Sequence, residues 1–224
     1  MKTLLAGLTL VACLPLMLHA QRTVATDVTL DRALKAHTAT RTTRAKFSQT
    51  LTNPLTGTTA NASGELLMKR PNQLAVKFTD PAGDRIVADG KLLWVYLPSQ
   101  NPKQVIRLPQ GKAGTGGIDV IGQFFDSPRT RFVVTDGGAI KVGGRATHAL
   151  VLVPKAGKAS AFVRATVWVD DRDGQLRQFE VTDANGLVRR VTMTKLDVNA
   201  ALPGDAFRFM MPAGAKIVEQ PGMP

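Results

Sequence analysis

Residues 65–98 read ELLMKRPNQLAVKFTDPAGDRIVADGKLLWVYLP, and this stretch decides the fold. Successive side chains of a β-strand point to opposite faces, so short runs with a period of two predict strands. The stretch holds several such runs, separated by residues that favour tight turns, the Asp-Pro-Ala-Gly at 80–83 and the Asp-Gly at 89–90. We therefore predict consecutive β-strands joined by tight turns.

The faces of these strands give the first indication of function. In the first run, Leu66, Met68 and Arg70 share one face, which is otherwise apolar. A guanidinium without acceptors costs free energy in such a setting, so Arg70 is expected to find acceptors. The inward candidates of the next strand, and of the strand after the Asp-Gly turn, are Leu74, Val76, Phe78 and Trp94.

The rest of the chain also reads mainly as strands. Runs with a period of two occur at 47–52, 60–69, 103–108, 130–135, 140–142, 145–154, 161–170, 176–182 and 187–198, with turn residues at 136–138, 143–144, 173–174 and 185–186. This spacing predicts an antiparallel meander, and a strongly twisted sheet of about eleven strands curls. We therefore predict a mainly β (α+β) fold, in which a single curved antiparallel sheet forms a half-barrel. Residues 207–210 are a candidate last edge strand, and the tail at 212–224 is expected to be irregular.

Two helices are predicted to close this sheet. An amphipathic helix at 29–44 is expected to cover one side. A short helix at 118–125 lies between a glycine-rich run at 111–117 and Asp-Ser-Pro at 126–128. Its apolar stripe is typical of core residues, but a helix between glycines can also be a lid, so a lid is expected at about 111–127. The stripe consists of Ile118, Ile121, Phe124 and Phe125.

The beginning of the chain has the features of a secretory signal peptide. Lys2 precedes an apolar run that ends at Ala20, so residues 1–20 are predicted to be the signal and residues 21–224 one domain; cleavage after Ala25 is a second possibility. An alternative remains open at Cys13. Residues 10–13 also match the short pattern at which bacterial lipoproteins are cut and acylated, although the chain after Cys13 stays apolar.

Composition and motifs argue against several function classes. A net charge of +12 favours acidic partners, but aromatic residues make up only 5% of the chain, whereas single-stranded nucleic-acid binding needs aromatic stacking platforms. His37 and His148 are far apart, and no nucleophile elbow or His-Glu-x-x-His is present. The acidic residues at 170–173 lack the spacing of a calcium loop. We expect no enzyme activity, no cofactor, no metal and no nucleic-acid partner.

Several motifs, in their order and spacing, resemble the LolA family of periplasmic lipoprotein carriers. They are Phe-Ser-Gln at 47–49, Lys-Arg-Pro-Asn at 69–72, Asp-Pro at 80–81, Ile-Val-Ala-Asp-Gly-Lys at 86–91, Leu-Trp-Val-Tyr at 93–96, Asp-Gly-Gln-Leu at 173–176 and Gln-Phe at 178–179. The resemblance covers about residues 30–212.

This resemblance implies a monomeric periplasmic chaperone with a hydrophobic cavity that shields the acyl chains of lipoproteins. It would take them from an inner-membrane lipoprotein-releasing transporter to an outer-membrane acceptor lipoprotein. Arg70 would be a lid latch that donates to backbone carbonyls at the end of the 118–125 helix. The residues expected to line the acyl-chain site are Leu66, Met68, Leu74, Val76, Phe78, Trp94, Ile118, Ile121, Phe124 and Phe125.

Other functions are compatible with the same fold. An outer-membrane-anchored acceptor would need an acylated Cys13. A carrier of another lipid, or a lipid-sensing regulator, would use a similar half-barrel. The competing structural interpretation is an ordinary core that is filled by its own side chains, with no space for a ligand.

Overall fold

In a computed structural model, residues 14–110 and 121–219 are described, with side chains from residue 25 onward except that of Glu219. All strands in these ranges belong to a single sheet of twelve strands, in the order β12-β6-β5-β4-β3-β2-β1-β11-β10-β9-β8-β7. The strands are β1 (Thr42–Asn53), β2 (Thr58–Lys69), β3 (Gln73–Asp80), β4 (Ala82–Ala88), β5 (Leu92–Tyr96), β6 (Gln104–Pro109), β7 (Phe132–Val142), β8 (Arg145–Pro154), β9 (Arg164–Asp170), β10 (Leu176–Thr182), β11 (Val188–Val198) and β12 (Lys216–Glu219). The helices are α1 (Leu14–Ala39), α2 (Gly122–Phe125) and α3 (Pro128–Arg131).

This architecture confirms the predicted fold class, a mainly β chain with one curved antiparallel sheet and few helices. The sheet has twelve strands where about eleven were expected. The additional strand, β12, lies in the tail that was expected to be irregular, and it forms one edge of the sheet by pairing in parallel with β6. The candidate strand at 207–210 is wrong, because those residues lie outside any strand.

One predicted turn is a β-bulge inside a strand. The glycines after Asp136 predicted two short strands, yet β7 runs continuously along β8, and its register shifts between Asp136 and Gly138. A Cβ on Gly137 would lie 2.8 Å from the Cβ of Ala149, and Gly138 has a φ of +83°. Glycine is therefore needed here for close approach and for a left-handed backbone, which are both typical of bulges.

The boundaries of α1 also differ from the prediction. It starts at Leu14 rather than at residue 29, and it ends at Ala39, five residues earlier than expected. The hydroxyl of Thr40 donates to the carbonyl of Ala36 at 2.8 Å, and β1 begins at Thr42. Thr43 and Ala45 are buried as alternate residues of that strand, so the period of two starts earlier than the sequence pattern indicated.

The core lies between the sheet and the helices. Leu30 and Ala33 of α1 and Phe124 and Phe125 of α2 pack with the inward residues of the strands. The opposite, outer face is covered in part by the chain segment after β11. There Ala206 and Phe207 form a second, smaller cluster with β2 and β3, which contribute Leu67 and Ala75.

A cluster of ion pairs joins β8, β9 and β10. The Asp170 carboxylate has 1% exposure and accepts hydrogen bonds from Arg145 and, at 3.0 Å, from Arg177. Asp173 pairs with the same two arginines. Burial disfavours the charged form of Asp170, but hydrogen bonds from Arg145, the backbone N–H of Arg172 and Arg177 outweigh it, so the pKa of Asp170 lies well below its usual value.

We expect Asp170→Asn to lower the free energy of unfolding by about 3 kcal/mol at pH 7, because one partner of a buried ion pair is removed. A depressed carboxyl pKa contributes stability above the unfolded value of about 3.9, and this contribution is lost as the pH falls towards the folded pKa. The difference between the wild type and the variant should therefore shrink below about pH 4. Denaturant unfolding at several pH values measures it.

Asp171→Asn is the matched control, because the Asp171 side chain is exposed and pairs with Arg32 at 3.6 Å. Such surface pairs contribute about 0–1 kcal/mol. Equal stability losses in the two variants would contradict the role given to the buried cluster.

Candidate functional site

The inner face of the sheet encloses a cavity of about 490 Å³, between α2 and the strands. Ligand pockets for small molecules commonly measure about 300–1,000 Å³, so this space is large enough to hold one. Its wall is formed mainly by β1, β3, β5, β10 and β11, together with the segment before β9. Most of the lining side chains are aliphatic or aromatic, and the polar ones in the described wall are Gln49, Gln123, Asp183 and Arg189.

Four of the residues predicted from the sequence lie in the wall of this cavity. They are Leu66, Leu74, Val76 and Phe78. Alternation along β2 and β3 was sufficient to place them, because the apolar residues of one face alternate with mostly polar residues of the other face.

Four other predicted residues lie elsewhere on the inner face: Met68, Ile121, Phe124 and Phe125. Met68, Ile121 and Phe125 line a second cavity of only about 30 Å³, next to Arg70. A space of that size holds little more than a water molecule. Phe124 is fully buried, and its ring packs 5.7 Å from that of Phe162 and 5.2 Å from that of Phe179. Ile118 and the glycine-rich run at 111–117 lie outside the described residues.

The placement of Trp94 in the cavity is wrong. Trp94 is the register partner of Val87 and lies on the outer face, where its ring stacks on Phe209 at 5.1 Å with an interplanar angle of 1°. Its indole N–H donates to Asp89 at 3.1 Å. Because residues 92–97 are apolar in both phases, alternation did not decide which phase faces inward.

The cavity is also lined by residues that were not predicted. The sequence prediction placed Leu93 and Val95 of β5 on the outward face, but these residues point inward and line the cavity. The strands β10 and β11 contribute one wall, which the sequence prediction did not assign to the site. The signal was present in the alternation of the inward residues of β10 and β11, Phe179, Val181, Val191 and Met193.

The contact of Arg70 differs from the predicted latch. Arg70 is exposed, and its Nη1 donates to the backbone carbonyl of His37 near the end of α1 at 2.7 Å. It therefore satisfies a carbonyl at a helix C-terminus, as predicted in kind, but that helix is α1 rather than the one that contains Phe125. The His37 ring lies 5.6 Å from the ring of Phe125 and so connects α1 to α2.

Another arginine contacts the α2 segment directly. Arg131 donates to the carbonyl oxygens of Gln123, at 3.2 Å, and Asp126, at 3.4 Å. Next to it, Arg129 forms ion pairs with Asp27 and Asp31 of α1 at 3.2 and 2.9 Å. The short helices α2 and α3 are thus tied both to each other and to α1.

The described residues contain no group of three or more His, Cys, Asp or Glu side chains that could hold a metal ion. No helix in the described ranges combines the length and the apolar composition that crossing a membrane requires. Asp170, whose pKa is strongly lowered, belongs to the ion-pair cluster of β8–β10 and is not among the described residues that line the cavity.

Comparison with known proteins gives consistent results. The family model described as "Outer membrane lipoprotein carrier protein LolA" matches residues 38–114 and 125–210. An outer-membrane lipoprotein carrier protein from Leptothrix cholodnii is 30% identical over 177 residues, which are 79% of each chain. Its counterpart from Dechloromonas aromatica is 28% identical and covers 92% of each chain. A solved structure of an uncharacterized conserved protein from Thermus thermophilus shares the fold, with a TM-score of 0.54 and 15% identity over 88% of this chain and 99% of that one.

Because Arg131 bonds two carbonyls of the α2 segment, we expect Arg131→Leu to loosen the cover of the cavity. An apolar fluorescent dye should then enter the cavity at least several-fold faster, as measured by stopped-flow fluorescence. Both bonds come from one guanidinium nitrogen, Nη1. Arg131→Lys keeps the charge, but its flexible ammonium does not hold its donors in the fixed plane of a guanidinium, so it should give an intermediate rate. Unchanged entry rates in Arg131→Leu would show that this contact does not hold the cover.

Proposed function

Because the chain belongs to the LolA family of outer-membrane lipoprotein carrier proteins, we propose that its inner-face cavity is where a lipoprotein's acyl chains are held. The protein is a periplasmic lipoprotein carrier. The observation that supports the location of the site is the 490 Å³ of apolar space on the same face that α1 and α2 cover.

The energetics of transport explain why such a space is useful. Burial of one methylene group is worth about 0.8 kcal/mol, so an ordinary acyl chain in water carries a penalty on the order of 10 kcal/mol. A carrier must offset that penalty and must also release the chain. Aliphatic and methionine side chains suit both demands, because they make non-directional contacts and repack easily.

The partners follow from the same function. We propose that the carrier accepts its cargo from an inner-membrane lipoprotein-releasing transporter and delivers it, as a monomer, to an outer-membrane acceptor lipoprotein. We also propose that residues 1–20 are a signal peptide and that residues 21–224 form the mature carrier. Mass spectrometry of the mature protein should find an N-terminus at Gln21 or Thr26, whereas an acylated Cys13 would instead support the membrane-anchored acceptor.

A cavity-filling substitution tests the site. Val181 lines the cavity, and the side chain of the next residue, Thr182, points to the outer face. We expect Val181→Trp to weaken the binding of a fluorescent lipopeptide about tenfold or more, because excluding even two methylenes removes about 1.6 kcal/mol of burial. Fluorescence titration gives the affinity.

Thr182→Trp is the control, since it adds the same indole to the opposite face of the same strand. It should bind like the wild type. If Val181→Trp also bound like the wild type while folding normally, acyl chains would have to bind somewhere else.

We propose that Arg70 acts on the transfer step by holding the end of α1 through the carbonyl of His37. Arg70→Leu should leave the fold and the binding of cargo largely intact, because the side chain is exposed, but should change the rate of transfer to an acceptor. Lys69→Leu, at the neighbouring exposed position, is the control. Transfer by Arg70→Leu at the wild-type rate would rule out this role.

A further inference from the structure

The charged residues of the cavity wall lie together at one end. Arg189 on β11 is the register partner of Leu51 on β1 and of Val181 on β10. Asp183 follows β10 by one residue, and all four line the cavity. Because residues two apart on one strand share a face, Asp183 is the diagonal neighbour of Arg189 on the inner face.

This end is also the mouth of the cavity. Along β11, Met193 and Val191 are buried, whereas Arg189 is exposed. Along β10 the same trend runs from the buried Phe179 to the half-buried Asp183. An acyl chain whose methyl end lies between Phe179 and Met193 would therefore have its polar end beside Arg189 and Asp183.

Both charged groups have hydrogen-bonding capacity to offer a ligand. Within the described ranges, no hydrogen bond or ion pair engages the guanidinium of Arg189. Asp183 accepts the backbone N–H groups of Asn185 and Leu187 through Oδ1, at 2.8 and 3.0 Å, which leaves its other oxygen available. The aliphatic part of Arg189 can lie along the apolar wall while its head stays at the mouth.

The pairing of one cation with one anion indicates which polar group fits. An anionic headgroup would approach Asp183 as well as Arg189, and the repulsion would offset the attraction. A neutral head with ester carbonyls and amide N–H groups fits both, because Arg189 can only donate hydrogen bonds and an ionised Asp183 can only accept them. We propose that Arg189 and Asp183 bind the ester and amide groups at the polar end of a neutral acylated cargo. This inference rests on the proposed function, that acyl chains occupy the cavity.

The test compares two synthetic lipopeptides that differ only in the linkage of their chains. In one, the two chains are ester-linked to the glyceryl group; in the other they are ether-linked, so that the carbonyl oxygens are missing. The wild type should bind the ester form about threefold to tenfold more tightly, as one exposed charge-assisted hydrogen bond would give. Arg189→Gln should lose this preference, and Arg189→Lys should keep part of it.

Arg190→Gln is the matched control. Arg190 is the next residue on β11, points to the outer face and pairs with Glu180 at 2.9 Å. Arg190→Gln removes the same charge from the same strand, so this variant should keep the full preference for the ester form. Circular dichroism verifies that all variants fold.

The outcomes separate the inference from the proposed function. If neither lipopeptide binds the wild type, both fail. If both bind equally, or if Arg189→Gln keeps the ester preference, the carrier function stands and the role of Arg189 is wrong. Tighter binding of a phosphate-bearing diacyl lipid than of the neutral ester would overturn the neutral-head assignment. A loss of the ester preference in Arg189→Gln but not in Arg190→Gln would support the role of Arg189.

Discussion

The structure depends on a mismatch between the apolar inner face of the sheet and the helices that cover it. Protein interiors are normally packed as densely as organic crystals, and a gap tends to close by relaxation of its surroundings. Here the walls are neighbouring strands of one hydrogen-bonded sheet, and moving them together would break backbone pairs along several strands. The side chains of α1 and α2, such as Leu30 and Phe124, fill only part of the concave side. The remaining space therefore persists, and the sheet curvature that makes it also fixes its shape.

The outer face explains why so many strands are apolar in both phases. An uncovered face of an antiparallel sheet would normally be polar. In this chain the segment after β11 returns over β2–β5, where Phe207 joins Leu67 and Ala75, and Phe209 stacks on Trp94. Arg85 completes this cover, since its guanidinium lies 5.1 Å from the ring centre of Tyr96 and donates to the carbonyl of Met210 at 2.9 Å. Over β2–β5 the sheet thus has a packed outer layer, whereas its inner layer is incompletely filled.

This two-sided burial sets the limit of what the sequence could predict. The strands of residues 65–98, the inward phase of β2 and β3, and the hairpin turns other than the one expected at 136–138 followed from alternation and turn chemistry. The phase of β5 did not, because Leu93 and Trp94 are equally plausible inward residues until the covering segment is placed. For the same reason the interaction of Arg70 was predicted in kind, a helix-end carbonyl, but not in partner, since the sequence does not show that α1 ends beside it. The bulge at Gly137 and the parallel strand β12 depend on contacts between residues distant in sequence, which a local pattern does not contain.

The distribution of polar groups in the cavity fits a protein that must bind and release. Hydrogen bonds are strongest where water is excluded, and breaking one there leaves a buried polar group without a partner. A deep hydrogen bond to cargo would therefore slow release. The innermost part of the cavity is lined by residues such as Phe47, Phe179 and Met193, whose side chains make only apolar contacts. Arg189 and Asp183 lie at the exposed end, where water can replace each bond as it breaks. Directional contacts at the mouth can thus orient a ligand without adding much to the barrier for its departure.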